Sequence, residues 1–283
     1  MDRATLSGLK ELMRVHGLKP KKMYGQNFLV DKNILYKIIA ASGVESTDIV
    51  LEIGPGMGAL SEQLALTAQG VLAVEIDQGL QDILIELEQQ YPNLHILWGD
   101  ILKTDIEAEL ALRWGEQALN SYRVCANIPY QITSPILFKL LLECPRMVSA
   151  SLMMQKEVAN RLLASPGGKD YGRLTVMAHY YAEIELLMMV SRHCFYPQPK
   201  VDSAVVKIKP RGDDRTEVNT ERLDRIVRAA FQQRRKTLVN ALAPVWPGDK
   251  ASLQAQLEAL GLDPQARPEM ISPAAFIRLA EML

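Results

Sequence analysis

From residue 49 onward, short apolar segments alternate with amphipathic, helical segments, and this alternation constrains the fold more than any other feature of the sequence. The apolar segments have the length of strands, and they are IVLEIG from Ile49, GVLAVEID from Gly70, LHILWGD from Leu94, YRVCANIPY from Tyr122 and VSASLMMQ from Val148. Strands that are apolar along their whole length are typical of parallel sheets whose two faces are both covered by helices. The sequence therefore predicts an α/β fold with a parallel, doubly wound sheet.

The pattern changes beyond the segment Ser165-Pro-Gly-Gly168. One more helical segment, from Leu174 to Ala182, leads to ELLMMVSRHCFYP and VDSAVVKIKP, which we expect to pair as antiparallel strands. Past Pro210 the pattern is helical only and is interrupted by prolines. A chain of 283 residues is long enough to form two hydrophobic cores. We therefore predict an α/β domain over residues 1–212 and a small helical domain over residues 213–283.

A glycine-rich turn follows the first predicted strand and precedes a helix, a position where the backbone of a ligand-binding loop can approach its ligand closely. Its glycines are Gly54, Gly56 and Gly58. Glu75 ends the next strand, where a carboxylate can accept hydrogen bonds from both hydroxyl groups of a ribose. Asp100 ends the third strand and adds another acceptor at the same edge of the sheet. Together these positions predict a cofactor that contains adenosine.

The form of the turn favours S-adenosyl-L-methionine over NAD as that cofactor. The glycines follow the pattern G-x-G-x-G rather than the G-x-G-x-x-G of dinucleotide sites. Glu52 lies just before the turn, where its carboxylate could offset the positive charge of a sulfonium or ammonium group. Strand-end solvation or helix capping is the alternative for Glu52 and Asp100, and it is the favoured interpretation of Asp77.

The fourth predicted strand ends in Asn127-Ile128-Pro129-Tyr130, the most specific motif of the chain. The exocyclic amine of adenine is a poor nucleophile because its lone pair is delocalised into the ring, so a catalyst has to accept its hydrogens. The side-chain carbonyl of Asn127 and the backbone carbonyl of Ile128 can do so while Tyr130 stacks on the base. The motif predicts transfer to an adenine amine by positioning rather than by a strong general base. A proline-ended strand with a packing tyrosine is the alternative.

Several separate motifs follow one another along residues 19–283, and together they resemble the ribosomal RNA adenine N6,N6-dimethyltransferase family. The motifs are YGQNFLVD, LEIGPGMGAL, AVEID, Gly99-Asp100, ANIPYQITSPIL, QKEVANRL, KDYGRLTV and FYPQPKVDSAVV. The resemblance implies a Rossmann-like, S-adenosylmethionine-dependent methyltransferase sheet with a small all-helical C-terminal domain. The segment from Ala111 to Ser121 is longer than is usual in the family, but no site residue falls on it.

The resemblance also implies roles for individual residues. The cofactor site that it implies comprises Gln26, Asn27, Leu29, Glu52, Gly54, Gly56, Gly58, Glu75, Ile76, Asp100, Ile101 and Asn127. The catalytic centre that it implies comprises Asn127, Ile128, Pro129, Tyr130 and Phe195. Within these sets Glu75 would hold the ribose and Asp100 the adenine amine of the cofactor. Phe195 would stack on the target base opposite Tyr130, although a core position is equally consistent with its surroundings in the sequence.

The activity implied by the resemblance is dimethylation of the N6 amines of two adjacent adenosines in the 3′-terminal hairpin loop of small-subunit (16S) rRNA, with S-adenosyl-L-homocysteine as the product. The substrate would be the 30S subunit or its precursor. A related resistance methyltransferase of large-subunit rRNA shares the Asn-Ile-Pro-Tyr type of motif, but QKEVANRL and KDYGRLTV favour the small subunit. We expect no DNA substrate, because DNA adenine methyltransferases carry a different form of this motif. The alternatives from other classes are a non-catalytic RNA-binding assembly factor and, more remotely, an NAD oxidoreductase.

Charge is distributed unevenly along the chain, although the formal net charge is only −1. Residues 38–130 carry three Lys or Arg and fourteen Asp or Glu, whereas residues 1–37 carry eight and three. A helix predicted from Arg222 to Leu242 has one apolar and one basic face. Basic residues of this kind can contact RNA phosphates, although a solvated basic face is equally consistent with the pattern. The candidates for RNA contact are Lys21, Lys22, Lys156, Arg161, Arg222, Arg225, Arg228, Arg235 and Lys236.

The cysteine pattern and the hydropathy of the chain indicate its compartment. Cys125, Cys144 and Cys194 lie far apart and form no Cys-x-x-Cys or Cys/His cluster, so we expect neither a metal site nor disulfides. No apolar run is long enough to span a membrane, and residues 1–22 lack the apolar segment of a signal peptide. We therefore expect a cytoplasmic protein with no membrane partner. The resemblance implies that it acts on RNA, and we expect a monomer.

Overall fold

The computed structural model describes residues 2–116, 120–212, 217–233 and 235–282, and it divides into two compact units. The first unit comprises Met1–Ala159 and Glu185–Pro210, and the second comprises Asn160–Ile184 and Arg211–Leu283. The strands are β1 Phe28–Leu29, β2 Ile49–Ile53, β3 Gly70–Glu75, β4 Leu94–Trp98, β5 Tyr122–Asn127, β6 Met147–Gln155, β7 Ala182–Val190, β8 Phe195–Tyr196 and β9 Ser203–Pro210. The helices are α1 Leu6–Val15, α2 Lys32–Ser42, α3 Ala59–Thr67, α4 Gln81–Gln90, α5 Ile106–Trp114, α6 Thr133–Glu143, α7 Lys156–Leu162, α8 Arg173–Tyr181, α9 Thr220–Gln232, α10 Leu238–Leu242, α11 Lys250–Ala259 and α12 Pro273–Glu281.

A seven-stranded sheet with the order β4-β3-β2-β5-β6-β9-β7 forms the centre of the first unit. The five neighbouring strands β4, β3, β2, β5 and β6 run parallel, as the apolar segments predicted. β2 and β3 are buried at every position, which is why their sequences show no polar alternation. The two later segments that were expected to be antiparallel strands, β7 and β9, extend this same sheet, because β9 pairs antiparallel with β6 and lies next to β7.

The N-terminal part of the first unit is held in place by short elements. Asp31 caps α2, since its side chain accepts hydrogen bonds from the backbone amides of Asn33 and Ile34. Aspartate is a favoured residue at this position, because its short carboxylate reaches the free amides of the first helical turn. Just upstream, β1 pairs antiparallel with β8, with Leu29 opposite Phe195. These contacts fix where the segment before α2 lies.

The second unit contains α8 together with the C-terminal helices, so it begins earlier in the chain than residue 213. Tyr171 donates a hydrogen bond of 2.6 Å to the backbone carbonyl of Ile271, and Arg173 pairs with Asp224 of α9 at 2.6 Å. Such contacts between distant segments cannot be deduced from a change in local pattern. For this reason the sequence-based boundary at residue 212 separates residues 160–184 from the helices that they pack with.

The helix predicted from Arg222 to Leu242 is interrupted in the structure. α9 ends at Gln232, and α10 starts only at Leu238. The amides of Leu238 and Val239 donate to the carbonyl oxygens of Ala266 and Pro264, at 2.7 and 3.1 Å, instead of to carbonyls one turn earlier. Arg235 and Lys236 therefore lie beyond the end of the basic helix rather than on its face.

Candidate active site

A cavity of about 310 Å³ opens at the carboxyl edge of the parallel strands in the first unit. Its wall includes the ends of β2, β3 and β5, the Gly99-Asp100 turn after β4, and residues 23–29. Ligands of open α/β sheets bind at this edge. We call residues 21–29 the N-terminal strap, because they pass along the cavity before the chain enters α2.

The glycine turn gives the cavity a backbone wall. Gly54 and Gly56 line the cavity and have φ angles of 69° and 57°, which side chains other than glycine rarely adopt. A Cβ atom added to Gly56 would lie 2.9 Å from the ring of Phe28. Gly58 is different, since an added Cβ would meet Leu87 at 2.5 Å and the residue does not line the cavity. The structure thus gives Gly58 a packing role at the start of α3.

Glu75 is nearly buried at the end of β3 and faces the glycine turn. Its two carboxylate oxygens accept hydrogen bonds from the backbone amides of Gly56, at 3.2 Å, and Asp77, at 2.8 Å. Burial raises the pKa of Glu75, and these hydrogen bonds oppose that rise. Each carboxylate oxygen keeps a further lone pair for a ligand hydroxyl. Ile76, which follows it, also lines the cavity.

Glu52 lies on the cavity wall but is 1% exposed. Its Oε2 atom has no hydrogen-bond partner among the described residues. Burial, with a smaller contribution from the negative charge of Glu75, raises the pKa of Glu52 to about 8. A positively charged ligand would favour the ionised form of this side chain, so Glu52 suits the cation that the sequence analysis expects.

Asp100 occupies the third predicted position of the cofactor site. Its Oδ1 atom accepts a hydrogen bond of 3.0 Å from the amide of Leu102, which orients the carboxylate within the turn after β4. Asp100 and Ile101 both line the cavity, and the carboxylate keeps acceptor capacity for an amine. The structure therefore brings together Glu52, Glu75 and Asp100 around one cavity.

The motif after β5 forms the other side of the cavity. The Nδ2 atom of Asn127 donates a hydrogen bond of 3.2 Å to the backbone carbonyl of Asn27 in the strap. The amide is thereby oriented, and its carbonyl oxygen is the atom that can accept a hydrogen from a substrate. The backbone amide of Ile128 bonds to Met153 of β6 at 3.2 Å, which fixes the turn into Pro129.

Tyr130 also lines the cavity, and its hydroxyl group lies 2.8 Å from the hydroxyl of Ser203 at the start of β9. Burial raises the pKa of Tyr130, so the phenol stays neutral. Sequence reasoning assigned no role to Ser203, although the residue lies in the FYPQPKVDSAVV motif. The antiparallel pairing of β9 with β6 brings it to Tyr130, and that pairing was not predicted.

The strap contributes Gln26, Asn27 and Leu29 to the cavity wall, as the resemblance implies. It also has contacts that were not predicted. The Nζ atom of Lys21 lies 2.5 Å from Oδ1 of Asp77, so the structure gives this partly exposed lysine a partner within the protein. Asp77 in turn accepts a hydrogen bond from the amide of Gly79, which confirms the capping role favoured for it.

Phe195 does not line the cavity. Its ring is 3% exposed and belongs to the hydrophobic core of the first unit, where β8 pairs with β1. The core position that the sequence allowed is therefore the one observed. The stacking role implied by the resemblance finds no support in this position.

The basic candidates for RNA contact fall into two groups. Arg222 is partly buried and donates to the carbonyl of Ala280 at 3.4 Å, and the side chain of Lys22 lies outside the described residues. The exposed members are Lys156, Arg161, Arg225, Arg228, Arg235 and Lys236.

Among the described residues, no three His, Cys, Asp or Glu side chains are grouped so as to hold a metal ion. No helix in the described part of the chain is long and apolar enough to cross a membrane.

The fold and the cavity define the class of protein as a Rossmann-like methyltransferase. The cavity fits S-adenosyl-L-methionine, because the glycine turn leaves room for backbone contact, Glu75 can hold a ribose, and Glu52 can balance a cation. The family model described as ribosomal RNA adenine dimethylase matches residues 17–283. The chain belongs to this ribosomal RNA adenine dimethylase family, whose methyl donor is S-adenosyl-L-methionine.

Curated relatives support the same family over the whole chain. A ribosomal RNA small subunit methyltransferase A from Geobacillus thermodenitrificans is 44% identical over 286 aligned residues, which cover 100% of this chain and 97% of that protein. One from Moorella thermoacetica is 44% identical over 275 residues, which cover 96% and 95%. These matches confirm the enzyme class and the family that the motifs predict.

Solved structures support the fold. A dimethyladenosine transferase from Plasmodium falciparum is 31% identical, with a TM-score of 0.73 and coverage of 89% of this chain and 95% of that one. The 23S rRNA methyltransferase ErmE is 30% identical, with a TM-score of 0.68 and coverage of 91% and 99%. The predicted α/β methyltransferase sheet with a helical C-terminal region is confirmed.

Proposed function

We propose that this chain dimethylates the N6 amines of two adjacent adenosines in the 3′-terminal hairpin loop of small-subunit rRNA, within the 30S subunit or its precursor. The names of its full-length relatives support the choice of subunit. The observation that carries the chemistry is the anchored amide of Asn127, a residue that lines the cavity: its Nδ2 atom is bound to the Asn27 carbonyl, which leaves its carbonyl oxygen as the acceptor for a substrate hydrogen. The enzyme would act as a monomer in the cytoplasm, where ribosomal subunits are assembled.

The residues of the cavity position the amine rather than remove a proton from it first. S-adenosyl-L-methionine supplies a methyl group on a positively charged sulfur when it is bound. The Asn127 side-chain carbonyl and the Ile128 backbone carbonyl accept the two hydrogens of the amine, so its lone pair is directed away from the ring. The ring of Tyr130 stacks on the flipped base, and the hydrogen bond to Ser203 fixes that ring. Each transfer leaves the nitrogen positively charged until it releases a proton to solvent. After the first transfer and this loss one hydrogen remains, so a single acceptor suffices for the second.

We infer that RNA binds the exposed basic residues. Arg225 and Arg228 lie on the solvent face of α9, and Arg235 and Lys236 follow beyond its end. Lys156 and Arg161 are exposed on α7. Phosphate contacts of this kind would supply affinity, whereas the flipped adenosine would supply specificity.

The proposed function is tested with immature 30S subunits that lack the modification. The purified protein is incubated with these subunits and radiolabelled methyl donor, and the digested RNA is searched for N6,N6-dimethyladenosine. We expect dimethylation of two adjacent adenosines. Subunit binding without any labelled adenosine would contradict the enzymatic proposal and favour an assembly factor.

A large-subunit substrate is the second candidate, because the 23S rRNA methyltransferase ErmE shares the fold over most of this chain. Naked 23S rRNA and 50S precursors therefore serve as parallel substrates. Incorporation into 23S rRNA that exceeds incorporation into small-subunit rRNA would reverse the proposed choice of subunit.

Asn127→Ala is expected to lower the transfer rate by at least about a hundredfold, because both the acceptor and the contact to the strap are lost. Thermal unfolding checks that the fold of the variant persists. Asn93→Ala is a matched control, since this asparagine bonds to Ala65 and Ala68 carbonyls away from the cavity. A transfer rate of the Asn127 variant close to that of the wild type would remove Asn127 from the mechanism.

A further inference from the structure

The strap is anchored at one end by strand pairing and at the other by a single buried side chain. Its C-terminal end, β1, pairs with β8. Near its N-terminal end, the only regular element is one 3-10 turn at Lys22–Tyr24, which is too short to hold a wall of the cavity by itself. Asp77, just past the end of β3, is 2% exposed and contacts this part of the strap.

Both oxygens of the Asp77 carboxylate bond to the strap. Oδ1 accepts from Nζ of Lys21 at 2.5 Å, and Oδ2 accepts from Nε2 of Gln26 at 2.8 Å. The Gln26 side chain is itself oriented, because its Oε1 atom accepts from the backbone amide of Lys21 at 2.8 Å. The amide of Gly79 donates to Oδ1 as well, at 3.0 Å, and keeps the carboxylate in this orientation. These bonds form a closed ring between the strap and the end of β3.

Asp77 is charged in this position. Burial alone would raise its pKa, but the hydrogen bonds from Lys21, the Gly79 amide and Gln26 together hold the pKa below its usual value. Hydrogen bonds to an ionised acceptor are stronger than neutral ones. The strap is thus held by charge-assisted contacts at a point where it has little structure of its own.

Asp77 also contacts Glu75, the residue that is predicted to bind the ribose of the methyl donor. The backbone amide of Asp77 donates to Oε1 of Glu75 at 2.8 Å, while the other Glu75 oxygen faces Gly56. We propose that Asp77 is a positioning residue that latches the strap over the methyl-donor cavity and sets Glu75 at the same time. The latch rests on the methyl-donor site of the proposed function and is independent of which RNA is methylated.

The latch predicts that donor and product exchange through opening of the strap. Without the contact between Asp77 and Gln26, S-adenosyl-L-homocysteine should dissociate about tenfold faster, as expected for the loss of one charge-assisted hydrogen bond. The KM for the methyl donor should rise by a similar factor.

The variants Asp77→Asn and Gln26→Glu test the latch through reciprocal exchange of donor and acceptor. Asp77→Asn places an amide donor opposite the Gln26 amide donor, and Gln26→Glu places two carboxylates opposite each other. In the double variant the new amide can donate to the new carboxylate, and that carboxylate can still accept from the Lys21 amide. Each single variant should therefore release product faster, and the double variant should restore the slow release.

Product release is measured with purified full-length protein and radiolabelled S-adenosyl-L-homocysteine in the absence of RNA, so failure of the rRNA proposal would not affect the result. Asp82→Asn, an exposed carboxylate in α4, controls for the loss of charge. Wild-type release rates in both single variants, or no recovery in the double variant, would overturn the latch. If the single variants do not fold, Lys21→Met carries the test, because its partly exposed side chain loses the bond to Asp77 together with a contact to the Tyr24 ring at 5.8 Å. Unchanged release in this variant would equally overturn the latch.

Discussion

The buried carboxylate of Glu52 predicts that methyl-donor binding depends on pH. With a pKa of about 8, the Glu52 carboxyl group is mostly protonated at neutral pH when no cation is bound beside it. The groups that face it are also acidic, namely Glu75 from β3 and the thiol of Cys125 from β5. A cationic donor favours the ionised form, so donor affinity should rise as the pH increases from 6 toward about 8 and then level off.

Glu52→Gln is expected to lower donor affinity at pH 8 about tenfold and to flatten its pH dependence, because one electrostatic partner is lost. The variant should, in contrast, be more stable than the wild type. Because folding raises the pKa of Glu52, the unfolding free energy of the wild type falls by about 1.4 kcal/mol for each unit that the pH rises between the unfolded and folded pKa values. The variant has no such loss. Calorimetric titration and thermal unfolding at pH 6, 7 and 8 measure both effects. A variant with the same pH profile as the wild type would show that Glu52 does not face the cation.

The backbone angle and the close packing of Gly56 leave no room for a side chain in the glycine turn. Gly56→Ala combines a φ of 57° with a Cβ atom 2.9 Å from the Phe28 ring, so we expect a loss of about 1–3 kcal/mol of stability and much weaker donor binding. Gly261→Ala is the matched control, since its φ is 70° but no atom lies within 4 Å of an added Cβ. Both variants have the strained backbone angle, but only Gly56→Ala also has the clash with Phe28. Thermal unfolding of the two variants therefore separates the cost of the strain from the cost of the clash. Equal stability and unimpaired donor binding in the Gly56 variant would contradict the role of this turn.

At the scale of elements, α9 is the best-defined candidate surface for RNA. Leu223, Ile226 and Val227 bury one face, and Arg225 and Arg228 are exposed on another. Arg228 pairs with Asp224 at 3.2 Å, and an exposed pair of this kind contributes about 0–1 kcal/mol. Charge reversal on this face should therefore leave the fold intact.

Arg225→Glu with Arg228→Glu should weaken binding to immature 30S subunits about tenfold or more and lower its salt dependence. Donor affinity should not change. Lys250→Glu with Arg278→Glu applies the same change of charge to exposed residues of other helices in this unit and should have a smaller effect. Filter binding at several salt concentrations measures the difference. Equal losses for both pairs would indicate nonspecific electrostatics rather than a surface on α9.

The elements were predictable where their pattern is local. The strands from β2 to β6 are visible in the sequence because burial on both faces leaves continuous apolar segments. The cap at Asp31 is likewise a local signal. The end of α9 was not predictable, because the amides of Leu238 and Val239 bond to carbonyls more than twenty residues away. The site shows the same division: the glycine turn and the Asn127 motif were found, whereas the partners Asp77 and Ser203 depend on tertiary contacts.

For the whole molecule, the two compact units predict separable effects of mutation. Tyr171→Phe removes the hydrogen bond to the Ile271 carbonyl and should cost the second unit about 1–2 kcal/mol. Hydrogen exchange should then increase in residues 160–184 and in the C-terminal helices, while donor affinity stays the same. Tyr36→Phe, at an exposed tyrosine of α2, is the control. Faster exchange throughout the parallel sheet would contradict the independence of the two units.

The near-neutral net charge of the chain is the sum of an acidic region and of basic regions. The acidic residues between 38 and 130 include Glu52, Glu75 and Asp100, which surround a cavity for a cation. The exposed basic residues include those on α9. A low total charge is therefore compatible with binding to RNA.

The pairing of β1 with β8 has an evolutionary consequence. Phe28 lies opposite Tyr196 and Leu29 opposite Phe195, so a segment at the methyl-donor cavity and the segment that opens the FYPQPKVDSAVV motif form one small sheet. A change of side-chain volume in one strand displaces the other, because both are packed into the same core. Among homologues, substitutions at these four positions should covary, and a chimera that exchanges only one of the two strands should lose affinity for the methyl donor.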